Sequence, residues 1–333
     1  MSVIKIMDND LSNKIAAGEV VQSLVSVVKE LVENSIDAKS TEIKVELRES
    51  GFKEIKVTDN GCGMDKEDAK LCFMPHASSK LTDERELYHI MTLGFRGEAL
   101  PSIASVSEIT LVTCNGIEST LIRIKGGSIL EESVGDYRNG TSVSVKSIFY
   151  NTPARLKHLS SLYSELANIC EYVNKIALSY SNIRFTLIND DKELFKTDGS
   201  GNILKVINNI YGLSVTKKMV EIKAENDDYS IFGYITYPEV TRSTRTHITT
   251  LVNNRVVKNQ EINRCINDSY HTFKPDDKYP IVVLKIDVDP TLIDINIHPT
   301  KADIKFSKID TLKELINKTI KAALYKINLI PEA

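Results

Sequence analysis

An α+β fold is predicted, in which strands and helices mix without a regular βαβ alternation. Three observations predict it. Strand-like runs lie close together with short turns between them, as in EIKVELR (42–48) and EIKVTD (54–59) around Glu49-Ser50-Gly51, which favours antiparallel pairing. Helical periodicity recurs between such runs, most regularly in 308–328, where Leu312, Leu315, Ile316, Ile320 and Leu324 repeat at helical spacing. The length of 333 residues suits two hydrophobic cores better than one.

The further strand-like runs are EITLVTC (108–114), STLIRIK (119–125) and TSVSVKS (141–147). The helix-like runs are 11–37 with internal breaks, 66–73, 96–104, 161–180, 260–273 and 308–328. TDGSGN at 197–202 is a turn-rich break, so the expected domains are 1–202 and 203–333. The lysines of the last helix, at 308, 313, 318, 321 and 326, are read as a solvated face rather than a DNA-binding one.

Composition excludes several classes. Hydrophobic content of 42% and charged content of 26% are ordinary for a globular chain, and no apolar run reaches the ~18 residues of a membrane span. The acidic, polar start MSVIKIMDND is unlike a secretory signal, so a cytoplasmic location is expected, with no membrane partner. Five scattered cysteines contain no CxxC pair, which argues against a zinc knuckle or a disulfide framework. A net charge of −3 does not suit a dedicated nucleic-acid binder, though a local basic groove remains compatible with it.

Chemistry concentrates in VSVVKELVENSID (25–37). At about 100° per residue, Glu30, Asn34 and Asp37 share one narrow stripe, with Val25, Val28, Val32 and Ile36 opposite and Val27 and Leu31 on the flanks. Lys29, Glu33 and Ser35 are outliers on a helix that is otherwise apolar and expected to be buried. A carboxylate and an amide one turn apart there suit a water and a hard cation: the amide oxygen of Asn34 fits Mg²⁺, and Glu30 can deprotonate water. The alternative is that both side chains simply hydrogen-bond surface loops.

Two glycine-rich segments follow. Asp59-Asn60-Gly61-Cys62-Gly63 succeeds a strand, and its aspartate can accept from an exocyclic amino group such as adenine offers; a plain turn reads equally well. Gly94-Phe95-Arg96-Gly97-Glu98-Ala99-Leu100 opens a helix and can cradle an anion with backbone N–H groups, or be a flexible loop. It lacks the GK[ST] of a Walker A loop. Between them, His76-Ala77-Ser78-Ser79-Lys80 offers hydroxyls and an ammonium to a polyphosphate.

In the order E-x3-N, DNGCG, HASSK, GFRGEAL and Gly140-Thr141, these pieces resemble the GHKL ATPase superfamily of type II topoisomerases, large heat-shock chaperones, histidine kinases and MutL proteins. KIAAGEVV (14–21), VVKELVENSIDA (27–38), FYNTPAR (149–155) and IHPTK (297–301) are similar to MutL segments in particular. The resemblance implies a two-layer α/β sandwich (the Bergerat-type ATPase fold), then a βαβ domain like ribosomal small-subunit protein five. ATP and Mg²⁺ are the implied cofactors. Glu30 would be the general base and Asn34 the Mg²⁺ ligand, with Asp37 beside them on the nucleotide. Asp59 would read the adenine amino group, helped by Thr141, with Gly63 giving the base room. A lid over roughly 72–100, carrying Ser79, Lys80 and Gly94, would wrap the triphosphate through the backbone of Arg96 to Leu100. Lys301, from the second domain, would touch the γ-phosphate.

The implied function is slow ATP hydrolysis that orders the lid and drives dimerisation of two such chains, coupling a mismatch-sensing MutS-type protein to downstream repair factors on DNA. Arg255, Lys258, Arg264 and the loop Arg242-Ser243-Thr244-Arg245 are the candidate phosphate contacts. The rival class is a DNA-binding scaffold with vestigial turnover, disfavoured by the intact Glu30, Asn34, Asp59 and Lys301. Four departures from the family pattern bear on lid ordering and dimer contacts: Gln22-Ser23-Leu24, Pro75, Asn253-Asn254-Arg255 and Pro101. A linker and a dimerisation domain beyond Ala333 are also implied, so the chain is expected to be a fragment without any C-terminal endonuclease motif.

Overall fold

A computed structural model describes residues 18, 20–80, 93–94, 97–294 and 304–328. The chain divides into two compact units, the first running to Asn174 and taking up Asn182–Gly201, the second holding Lys175–Ser181 and everything from Asn202.

The first unit is a helix layer on an eight-stranded mixed sheet. Its elements are α1 (Leu24–Asp37), β1 (Glu42–Arg48), β2 (Glu54–Asp59), α2 (Lys66–Leu71), α3 (Ala99–Ser105), β3 (Glu108–Cys114), β4 (Ser119–Lys125), β5 (Ser128–Ser133), β6 (Gly140–Lys146), α4 (Pro153–His158), α5 (Leu162–Ser179, as far as Asn174), β7 (Arg184–Asn189) and β8 (Lys192–Lys196). The strand order is β5-β4-β3-β6-β2-β1-β7-β8, and only the β1–β7 pair is parallel. The antiparallel register of β1 and β2 sets Val45 opposite Val57 and Leu47 opposite Ile55. Strand alternation then puts Ile43, Val45 and Leu47 of β1 and Ile55 and Val57 of β2 on one buried face.

Helix α1 packs on β1, β2 and α3. It buries Leu24, Val27, Val28, Leu31, Val32 and Ile36, each contributing roughly 1.5–3 kcal/mol of hydrophobic stabilisation. The expected run 11–37 resolves into helical Gly18 and Val20, a break at Val21–Ser23, and α1 itself. Val25, expected on the buried side, is half-buried.

The second unit is built on a five-stranded sheet of order β13-β12-β15-β10-β9. The strands are β9 (Met219–Glu225), β10 (Tyr229–Thr236), β12 (Ile248–Val252), β13 (Arg255–Val257) and β15 (Val282–Val288); short pairs β11 (Thr241–Arg242) with β14 (Tyr279–Pro280), and β16 (Ile293–Asp294) with β17 (Lys305–Phe306), accompany it. Helices α6 (Ile203–Tyr211) and α7 (Leu213–Thr216) precede the sheet, while α8 (Gln260–Ser269) and α9 (Ile309–Asn328) cover it. β12 and β15 run parallel, with β13 and α8 between them in the chain, so a β-α-β crossover is present. Leu312, Ile316, Ile320 and Leu324 recur every fourth residue and are buried against Ile231, Leu284 and Ile286 of the sheet and Ile262 and Ile266 of α8. Lys318, Lys321 and Lys326 point to solvent, and Lys313 pairs with Glu261 and Asp310.

The altered turn Asn253-Asn254-Arg255 joins β12 to β13 with φ of 47° at Asn253 and 62° at Asn254. Left-handed values at both central residues match the twist of a tight hairpin, and asparagine tolerates them. Asn253 also bonds Val288 twice, donating from Nδ2 to its carbonyl (2.8 Å) and accepting from its N–H on Oδ1 (3.0 Å). Pro101 is the third residue of α3. There its missing N–H removes no helical bond, because first-turn N–H groups have no intrahelical acceptor.

Candidate functional site

Three segments of the first unit converge at the C-terminal half of α1. Asn34 and Asp37, three residues apart, present their oxygens to one side-chain cation. The ammonium of Lys80 donates to Asn34 Oδ1 at 2.8 Å and to Asp37 Oδ2 at 2.7 Å. The same carboxylate accepts the N–H of Leu93 on Oδ1 (3.0 Å) and of Gly94 on Oδ2 (3.1 Å). The stripe read from the sequence is therefore a real face, and it attracts positive charge. Glu30 lies one turn before Asn34 on that stripe, half-buried, and among the described residues its carboxylate has no hydrogen bond or ion pair. Asn34 is bonded to Lys80 of the HASSK segment, so the alternative reading of this helix holds for Asn34 and not for Glu30.

Asp59 follows from strand alternation. Ile55 and Val57 of β2 face the core, so the next residue of that face, Asp59, is buried at the strand's end. Both its oxygens are occupied: Oδ2 accepts the Ser35 hydroxyl at 2.7 Å, and Oδ1 accepts the N–H of Gly61 at 2.9 Å and of Thr141 at 3.2 Å. An ionised carboxylate offers about four acceptor sites, so one remains for an incoming donor. Ser35 is not an outlier, as its sequence position suggested. It sits four residues after Leu31 and three after Val32, on the buried face, and is 4% exposed. Thr113 is a second partner that sequence reasoning missed: its hydroxyl lies 3.0 Å from that of Thr141 and accepts the Met64 N–H at 3.0 Å. Its cross-strand pairing with Thr141 comes from the β3–β6 register, which no local pattern reveals.

The DNGCG loop is held by its own side chains. Asn60 Oδ1 accepts the N–H groups of Thr41 and Glu42, both at 2.9 Å, which fixes the start of β1. Gly63 has φ of 67°, and a Cβ there would lie 2.1 Å from the carbonyl oxygen of Cys114. The space that glycine leaves is thus already used by the end of β3.

The HASSK and GFRGEAL segments also meet. The His76 N–H donates to the Gly97 carbonyl at 3.2 Å, and His76 Nδ1 lies 3.8 Å from Glu98 Oε1. Gly97 has φ of 62°, and a Cβ on it would come within 2.4 Å of the Ala77 carbonyl oxygen. Ser79 is exposed, and Ala99 and Leu100 form the first turn of α3. The far end of α3 is braced by FYNTPAR: Asn151 Nδ2 donates to the Ser105 carbonyl at 2.8 Å and the Phe149 N–H to the Val106 carbonyl at 2.7 Å. Arg155 of that motif packs against Gly18, where a Cβ would lie 2.3 Å from Nη2. Phe95, Arg96 and Lys301 lie outside the described residues. In the second unit Lys258 and Arg264 are exposed and Arg255 is half-buried.

Both units match known protein families. Residues 22–145 match the model of the histidine kinase-, DNA gyrase B- and HSP90-like ATPases, and residues 207–325 match the model of the DNA mismatch repair protein C-terminal domain. DNA mismatch repair protein MutL of Bacillus anthracis is 48% identical over 334 residues, an alignment that takes in 100% of this chain and 53% of that protein. The chain belongs to the MutL family. Its first unit is a GHKL-type ATPase domain.

MutL of a Bacillus cereus strain is likewise 48% identical, with 52% of its length covered, so the chain spans about half the length of the curated relatives it matches. Among solved structures, the N-terminal domain of a DNA repair protein superposes with a TM-score of 0.82 at 24% identity, covering 95% of this chain and 98% of that one. The Aquifex aeolicus MutL ATPase domain complexed with ADP gives 0.65 at 25% identity, covering 90% of this chain and 98% of that one. Among the described residues, no helix is long and apolar enough to cross a membrane. All five cysteines of this MutL-family chain are free thiols.

Proposed function

We propose that this chain binds ATP with Mg²⁺ at the Glu30–Asn34–Asp37 stripe, hydrolyses it slowly, and uses the cycle to order its lid and pair with a second copy. The observation that carries the reading is the cation-attracting pair Asn34–Asp37 one turn from an uncommitted carboxylate, Glu30. The donor set fits Mg²⁺, which takes few protein oxygens and keeps phosphate oxygens and waters. When bound, Mg²⁺ neutralises charge that develops on the transferring phosphate.

Each residue then has a task. Asn34 gives its amide oxygen to the metal. Glu30 orients a water and takes its proton, since no other described group competes for its oxygens. Asp59, fixed by Ser35, Gly61 and Thr141, accepts from the adenine amino group. Residues Gly94–Leu100 supply backbone N–H groups to the phosphates, and Lys301 senses the γ-phosphate. Nucleotide-driven pairing then couples a mismatch-sensing MutS-type protein to downstream repair factors, and Arg255, Lys258 and Arg264 contact DNA phosphates. Affinity for DNA should then fall steeply with salt.

Calorimetry with a non-hydrolysable ATP analogue tests the site. Asn34→Ala is expected to lose the affinity that Mg²⁺ adds, leaving only weak, metal-independent binding. Unchanged Mg²⁺-dependent binding by that variant removes the stripe from the site.

A further inference from the structure

A flexible lysine at a surface normally keeps its ammonium in water, because ordering it costs side-chain entropy. Lys80 does not. Its side chain is only 20% exposed, and its nitrogen bridges Asn34 Oδ1 and Asp37 Oδ2 at 2.8 and 2.7 Å. Asp37 is 7% exposed at its side chain and also binds the N–H groups of Leu93 and Gly94. A Cβ on Gly94 would lie 3.3 Å from Lys80 Nζ, so the glycine passes directly beside the ammonium. One carboxylate thus ties residue 80 to residues 93–94, with a positive charge at the centre of the knot.

The space this ammonium fills is the space a metal ion would need. Mg²⁺ binds oxygen at about 2.0–2.1 Å, and an ammonium nitrogen already within hydrogen-bond distance of the same oxygens excludes it. A dication and an ammonium sharing these oxygens would also repel each other. We propose that Lys80 is a resident cation of the Asn34–Asp37 pair, which a divalent ion must displace, so that metal entry and release of the Lys80 clamp are one event. The proposal rests on the nucleotide-site reading above, and adds to it an exchange. Before ligand arrives, the Asp37 charge is balanced internally. When a metal-nucleotide arrives, the dication takes over the oxygens and the freed ammonium has a polyphosphate to pair with.

Electron paramagnetic resonance of Mn²⁺ with the nucleotide-free chain reads the exchange directly. Lys80→Met is expected to bind Mn²⁺ at least ten-fold more tightly than the wild type, and adding Asp37→Asn to it should reverse the gain. Lys80→Gln, which keeps a neutral donor for Asp37, guards against a folding defect in the methionine variant and should show the same direction of change. Equal Mn²⁺ affinity of the wild type and either folded variant overturns the proposal, as does a gain that survives Asp37→Asn. Asn34→Ala, titrated with nucleotide and Mg²⁺, separates the two readings. If Asn34 is required there but Lys80 has no effect on Mn²⁺, only the exchange fails; if Asn34 is dispensable, the site itself is wrong.

Discussion

The Ser35 hydroxyl donates to Asp59 Oδ2 at 2.7 Å, joining the buried face of α1 to the end of β2. The bond is short and charge-assisted, and both residues are almost fully buried. It sets the rotamer of the carboxylate that faces the proposed base pocket. Ser35→Ala leaves Oδ2 without this donor, a loss of about 1.5–3 kcal/mol for a hydrogen bond to a charged group. Urea unfolding should show that loss, and affinity for an ATP analogue should fall several-fold. Wild-type values for both would show that Gly61 and Thr141 alone hold Asp59.

Glu30→Ala separates binding from chemistry. No described partner depends on the Glu30 carboxylate, so its removal should leave the fold intact and analogue affinity within about two-fold. Steady-state turnover should drop 10²–10⁴-fold, as expected for a lost general base. A variant that hydrolyses ATP at the normal rate would assign the base elsewhere.

Gly63 answers to the backbone at Cys114. Gly63→Ala puts a Cβ 2.1 Å from a main-chain carbonyl oxygen and imposes a left-handed conformation as well. The conformational cost alone is about 1–2 kcal/mol, and the clash adds to it because a strand carbonyl cannot swing away. A melting temperature lowered by several degrees is expected even without nucleotide. No change in the ligand-free chain would mean that the loop relaxes freely.

The thiols differ in their surroundings. Burial, reinforced by the nearby Asp68 carboxylate, pushes Cys72 up to about 12, and burial with Asp68's counterpart Asp268 takes Cys265 to about 11. Cys62 is exposed. Maleimide at pH 8 should therefore label Cys62 well before the other two, as peptide mapping would read. The sign for stability follows: a native thiol held protonated contributes fully below the unfolded value of about 8.5 and loses that contribution as pH rises towards 12. Urea midpoints should be lower at pH 10 than at pH 7.5; a higher midpoint at pH 10 contradicts the burial of these thiols.

Much of this is legible in the sequence wherever a regular period meets a core. β1 to β4 match their predicted bounds because each alternates against one buried face. The Glu30-Asn34-Asp37 stripe is likewise a consequence of helical pitch. β5 went unseen because all six of its residues are exposed, so no face-to-face alternation marks it. Ser35 reads as an outlier in the sequence because a single hydroxyl on a buried face looks like a break in the pattern until its acceptor is known.

The sequence by itself determined which residue types share a face, since pitch and pleat are local properties of the backbone, and its ordered motifs determined the family. Only the tertiary structure decided what those faces meet. It is strand register that brings Thr113 to Thr141, and packing of distant segments that brings Lys80 and Gly94 to Asp37. Contacts between residues distant in the chain are set by packing of the whole layer, and no window of sequence contains them.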